Sequence, residues 1–153
     1  MKLKIRQRLH IAKAPAEIYE AIVNPEIMKN YFISESTGVM QEGAILTWKF
    51  PEFDLTFPVR IEKLENDKYI SFRWDDMDGS ETLVEMRLTE KRPGLTLVEI
   101  TEGERENDEA GINWLGRNSG GWGNFLASLK AWLEHGINLR KNAFSAEQFP
   151  ELK

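Results

Sequence analysis

The chain has 153 residues, a length that fits one domain with a real core. The absence of cysteine excludes disulfides, thiol nucleophiles and cysteine metal sites, and a net charge of −5 argues against a nucleic-acid-binding surface. No apolar run approaches the roughly 20 residues of a membrane span, and the N-terminus lacks an apolar signal region, so a soluble cytoplasmic protein is expected.

The pattern opens with a strand. Leu3, Ile5, Leu9 and Ile11 alternate with Lys4, Arg6, Arg8 and His10, which gives a basic outer face and points Gln7 inward. Ala14-Pro15-Ala16-Glu17 then opens a helix, with proline suited to its first turn and Ile18, Tyr19, Ile22 and Val23 on its buried side. Asn24-Pro25 ends that helix and begins a second short one over residues 25–30.

A short strand is expected around Ser34–Val39, followed by five longer ones. Ala44–Phe50 turns Leu46, Trp48 and Phe50 inward, and Phe53–Leu64 turns Phe53, Leu55, Phe57, Val59 and Ile61 inward. Pro58 sits on the polar side of its strand, which suggests an edge or a bulge. Lys68–Trp74 buries Ile70, Phe72 and Trp74, and Glu81–Leu88 buries Val84, Met86 and Leu88. Leu95–Glu102 places Val98 and Ile100 on one face with Glu102 at its end, where solvent exposure is expected. Asp75–Gly79 begins like a calcium loop but lacks a glutamate at the twelfth position, and reads as a turn.

The acidic run Glu102–Glu109 leads into the longest element, within Asn107–Arg140. Trp122, Phe125, Leu126, Leu129, Trp132, Leu133 and Ile137 recur at steps of three and four, one stripe of an amphipathic helix. Asn107 or Asp108 can cap it, with Glu109 in the first turn where negative charge suits the helix dipole. Gly116, Gly120, Gly121 and Gly123 fall close together, each costing about 1 kcal/mol against alanine. They mark either a kink near Ser119-Gly120 or a face that lets a backbone or a bound molecule come close.

Strands joined by short turns pair antiparallel, and their dry face needs a cover that the long helix supplies. The fold class is therefore α+β, a curved antiparallel sheet gripping a C-terminal helix in the order β-α-α-β6-α. This order, together with Ala12–Ala21, Asn24-Pro25 and the helix Gly121-Trp122…Leu129-Lys130…Leu133-Glu134, resembles the START-like, or SRPBCC, superfamily. Within it, the chain is similar to the group related to the C-terminal domain of the activator of heat-shock protein 90 ATPase. The resemblance implies a single START-like domain over 1–140, followed by a polar tail over 141–153. It also implies a cavity between sheet and helix, which members of the superfamily use for lipids, sterols, polyketides or hormones. The cochaperone carries a separate N-terminal domain that has no counterpart in this chain, which puts chaperone ATPase activation in doubt.

The aromatic dry face supplies the candidate ligand-binding residues: Trp48, Phe50, Phe57, Phe72, Trp74, Trp114, Trp122 and Phe125, with Met28 near the mouth. For any one of them ordinary core packing is the commoner role, and it is their concentration that points to a pocket. Gln7 and Asn118 are the inward polar groups suited to orienting a ligand. His10 and His135 read as surface residues, and neither a GxSxG elbow nor a phosphate loop is present. No cofactor or metal is expected. Three functions fit: binding of a small apolar or amphiphilic ligand; docking of a chaperone or other protein, with the cavity small or filled; or a cyclase- or hydrolase-like enzyme using an inward acid such as Glu102. Monomer and homodimer are both compatible with the sequence.

Overall fold

The structure is a computed structural model, described here for residues 1–149. The expected tail therefore lies within it to Phe149, and residues 150–153 fall outside the described residues. The elements follow the expected order: β1 (Leu3–Ile11), α1 (Pro15–Val23), α2 (Pro25–Met28), β2 (Glu35–Ser36), β3 (Ile45–Lys49), β4 (Thr56–Glu65), β5 (Tyr69–Asp75), β6 (Glu81–Arg92), β7 (Leu95–Arg105) and α3 (Glu109–His135). A single 3-10 turn, Ala146–Gln148, follows. The strands form one antiparallel sheet in the order β1-β7-β6-β5-β4-β3-β2, so the first and last strands in the chain are neighbours. This sheet curves around α3, the helix-grip arrangement.

Alternation puts Ile5, Val59, Ile61, Ile70, Phe72, Val84, Met86, Val98 and Ile100 on the dry face, all buried. Trp114, Phe125 and Leu129 of α3 press on them, with α1 and Tyr31 closing one end. The Tyr31 hydroxyl donates to the Ala21 carbonyl at 2.8 Å, which satisfies a polar group inside that contact. Asn24 ends α1 and caps α2, its side chain accepting from the Glu26 N–H at 3.0 Å. At the far end of α3, Glu134 accepts the Ala12 N–H and Lys130 donates to the His10 carbonyl, both at 2.8 Å, fastening the helix to the end of β1.

Four sequence expectations need correction. The helix stops at His135 because Gly136 takes a left-handed conformation, φ 66°, and its N–H bonds back to the last turn. Ile137 therefore leaves the apolar stripe and is exposed, and Arg140 lies beyond the helix. β4 begins at Thr56, so Phe53 and Leu55 belong to the preceding loop, with Leu55 exposed. β7 continues to Arg105, pairing with Leu3 on β1 and, through Gly103, with Leu83 on β6. The first part of the acidic run is thus strand, and Glu102 sits between Ile5 of β1 and Val84 of β6, paired on both sides.

Pro58 is opposite Thr47 of β3, while the β4–β5 ladder starts only at Arg60, so proline occupies a local edge. The four clustered glycines do not break α3, which is one uninterrupted helix. Among the described residues, no helix is long and apolar enough to cross a membrane.

One glycine of α3 is dictated by packing. A Cβ on Gly111 would lie 1.9 Å from the Glu106 carbonyl oxygen, beside the Asp108 cap that accepts the Gly111 N–H at 2.8 Å. Gly111→Ala is expected to destabilise the fold by roughly 1–3 kcal/mol, as overpacking does, read as a lower midpoint in urea unfolding. An unchanged or raised midpoint would show that this turn relaxes freely.

Candidate functional site

The dry face carries one ionic side chain at its centre. The Glu102 carboxylate has no exposure to solvent. Its Oε1 accepts from Trp122 Nε1 at 2.8 Å and Asn118 Nδ2 at 3.1 Å. Its Oε2 accepts from Thr82 Oγ1 at 2.6 Å, Trp74 Nε1 at 2.9 Å and Trp114 Nε1 at 3.4 Å. Three indoles, one hydroxyl and one amide thus converge on a group that, ionised, can only accept. A buried carboxylate without such partners would cost several kcal/mol. Hydrogen bonds to a charged group contribute about 1.5–3 kcal/mol each, which offsets the cost. The sequence pattern ends this strand at Glu102 and so expects it at solvent, whereas β7 keeps pairing beyond it.

Asn118 relays this cluster outward. Its Oδ1 accepts from Arg117 Nε at 3.3 Å, and Arg117 pairs with Asp76 at 2.5 Å. Arg105 pairs with both Asp76 and Asp78 at 2.7 Å and lies over the Trp114 ring, 5.7 Å from its centroid. With Arg60 paired to Asp75, the acids of the Asp75–Gly79 turn are held by three arginines.

Beside the cluster lies a cavity of about 660 Å³ between sheet, helix and the chain beyond the helix. Trp74 and Trp122 form one wall, stacked with centroids 5.5 Å apart and planes 28° from parallel. Phe32, Phe50 and Phe57 continue it, and Gly116, Gly120 and Gly121 of α3 form the opposing stretch. A Cβ on any of these three glycines would meet no neighbouring atom, so no backbone approaches them and their bareness opens onto the cavity. The loop residues Phe53 and Leu55 and the turn residue Met77 complete the rim.

The chain after α3 returns across this opening. Arg140 makes a two-pronged ion pair with Glu52, at 2.5 and 3.1 Å. The pair is largely shielded, with 14% and 5% of the two side chains exposed. The guanidinium also lies over Phe32, Phe50 and Phe144, 5.0–5.8 Å from each centroid. Phe149 packs on Phe53 at 5.7 Å, so Phe144 and Phe149 roof the cavity.

Of the residues expected at a site, Phe50, Phe57, Trp74, Asn118 and Trp122 line this cavity. Trp48, Phe72, Trp114 and Phe125 are fully buried behind it and form its support. Met28 is 1% exposed in the core beneath α2, away from the mouth, because the Asn24 cap turns its helix inward. Gln7 is spent on α3: its amide donates to Ser119 Oγ at 2.9 Å and does not reach the cavity. Phe32, Glu52, Arg117, Arg140, Phe144 and Phe149 went unpredicted. Arg117 lies on α3 off its apolar stripe, and the others come from loops and the tail, where periodicity gives no signal, although the paired Phe144 and Phe149 hint at docking. His10 and His135 are exposed.

Comparison with known proteins places this geometry in a wider group. A family model described as activator of Hsp90 ATPase homolog 1-like protein matches residues 13–134, well over half of the chain. Among solved structures, a Staphylococcus saprophyticus protein is 26% identical, with a TM-score of 0.75 over 89% of this chain and 95% of that one. The Aha1 dimer from Colwellia psychrerythraea is 22% identical, TM-score 0.74, over 88% and 98%. CalU16 from Micromonospora echinospora is 18% identical, TM-score 0.69, over 99% and 94%. A search among curated proteins finds no significant match.

Replacing the central acid should damage the fold itself. Glu102→Leu leaves five donors without their acceptor, at about 1–3 kcal/mol for each group kept from water. The expected loss is at least about 3 kcal/mol in denaturant unfolding. A loss below about 1 kcal/mol would mean that water reaches these donors.

Proposed function

The chain belongs to the activator of Hsp90 ATPase homolog 1-like family, and from that premise we propose that it binds a small apolar or amphiphilic molecule in the cavity between the sheet and α3. The observation that carries this reading is an open, aromatic-walled volume of about 660 Å³. It lies within the roughly 300–1,000 Å³ typical of small-molecule sites. Aromatic walls supply burial, and a few polar groups at one end, Arg117 and the Asn118 amide, supply orientation. A protein that only docks partners through its outer sheet face has no use for such a volume, and a filled cavity was the mark expected of that alternative.

The glycines of α3 add a second support. Gly116 and Gly120 are one turn apart and both border the cavity. Alanine at either position would favour the helix by about 1 kcal/mol. Their retention in a helix interior is explained by the space that they leave.

Asn118 is proposed to act on a ligand through the groups it holds, since both ends of its amide are engaged by Glu102 and Arg117. Phe50, Phe57, Trp74 and Trp122 are proposed to make the apolar contacts, and Trp48, Phe72, Trp114 and Phe125 to keep them in place.

The test fills the space without disturbing its wall. N-phenyl-1-naphthylamine, a neutral dye that brightens in apolar surroundings, should bind and quench tryptophan emission with a micromolar dissociation constant. Gly120→Leu should weaken that binding at least tenfold while leaving thermal stability equal or higher, because leucine is the better helix former. Binding that survives Gly120→Leu would place the dye elsewhere and sink the reading.

A further inference from the structure

The charges around the cavity do not balance evenly. Four carboxylates border it, Glu52, Asp75, Asp76 and Glu102, against two guanidiniums, Arg117 and Arg140. Three of the four carboxylates have a cation in contact: Glu52 has Arg140, Asp75 has Arg60, and Asp76 has both Arg105 and Arg117. Glu102 is the exception. Among the described residues no cation lies within ion-pair distance of it, and every partner is a neutral donor.

That negative charge reaches the cavity through its wall. Trp74 and Trp122 give their indole N–H groups to Glu102 and present ring carbons to the open space. An aromatic ring has a negative face, and a hydrogen bond from its N–H to a carboxylate polarises it further in that sense. The two lining arginines do not oppose this, since each already faces a carboxylate at 2.5 Å. The same cavity already seats one cation on aromatic faces, though on other rings. Arg140 holds its guanidinium over Phe32, Phe50 and Phe144 in the same cavity.

We propose that the ligand of this cavity is a hydrophobic organic cation, an alkylated ammonium or comparable soft positive charge on an apolar body. Its charge lies against the Trp74–Trp122 wall and is balanced by the buried Glu102. This rests on the ligand-binding reading and adds to it the sign of the ligand's charge. A soft, weakly hydrated cation suits the site because Glu102 has no free lone pair directed outward, so attraction acts through the rings and the field.

Three probes of one shape test it: (2-naphthylmethyl)trimethylammonium, its neutral carbon isostere 2-neopentylnaphthalene, and 2-naphthylmethanesulfonate. Each is titrated into the intact protein and followed by tryptophan emission. The ammonium is expected to bind about tenfold tighter than the neutral isostere, the scale of a desolvated cation–π contact, and the sulfonate weakest. In Glu102→Gln the ratio of ammonium to neutral affinity should fall towards one. If the neutral probe or the sulfonate binds as tightly as the ammonium, the cation assignment is overturned and the cavity reading stands. If none of the three binds, the cavity reading falls and takes this inference with it. A preference that persists undiminished in folded Glu102→Gln overturns the role given to Glu102. The wild-type comparison decides the ligand's charge even where that variant does not fold.

Discussion

The structure depends on keeping one carboxylate dry. Glu102 draws donors from β5, β6 and α3 onto β7, so a single group ties the long helix to three adjacent strands. The cost of removing a carboxylate from water is high, and only a full set of donors offsets it. That requirement fixes rotamers: Trp74 and Trp122 must turn their N–H edges towards Glu102, which stacks the two rings together at the cavity wall. The wall is set by the satisfaction of a charge as much as by apolar packing. A network in which every member has a partner is rigid for the same reason.

The cavity survives because two kinds of side chain are set against each other. Aromatic rings are held by edge contacts, Trp48 on Phe72 within the sheet at 5.5 Å and Phe32 beyond α2 on Phe125 of α3 at 4.8 Å. Beside them, α3 presents exposed glycines that leave its border of the cavity without side chains. The helix gives up intrinsic stability at those positions and recovers it through its buried stripe and its capped ends, Asp108 at one and Gly136 at the other. The tail then covers part of the opening with an ion pair seated on aromatic rings, which joins the post-helical chain to the loop at Glu52.

Much of this was legible in the sequence. Period-two runs locate the strands between Ile45 and Leu88, with β4 starting later at Thr56 and β6 running on to Arg92, and the Trp122–Leu133 stripe locates the helix, because burial writes a regular pattern. Five cavity residues, Phe50, Phe57, Trp74, Asn118 and Trp122, followed from which face was dry. The central fact did not. Glu102 ends an apolar alternation and opens an acidic run, and such a residue normally faces water. Only the ladders to β1 and β6, long-range pairings absent from any local window, show the strand continuing past it. Gln7 was placed inward correctly as to face, yet its partner Ser119 lies more than a hundred residues away. Met28 was drawn to the mouth when its cap turns it into the core. The tail's roof over the cavity rests on Arg140, Phe144 and Phe149, whose contacts carry no periodic signature at all.

The measurement that bears most directly on this account is a proton–nitrogen correlation spectrum of the tryptophan indoles at neutral pH. The chain has five tryptophans, and three of their N–H groups point at one carboxylate. The account predicts downfield indole signals for Trp74, Trp114 and Trp122, protected from exchange with water, all three moving together in Glu102→Gln. Signals at free-indole positions that exchange rapidly, or that ignore the substitution, would show that Glu102 does not organise this wall.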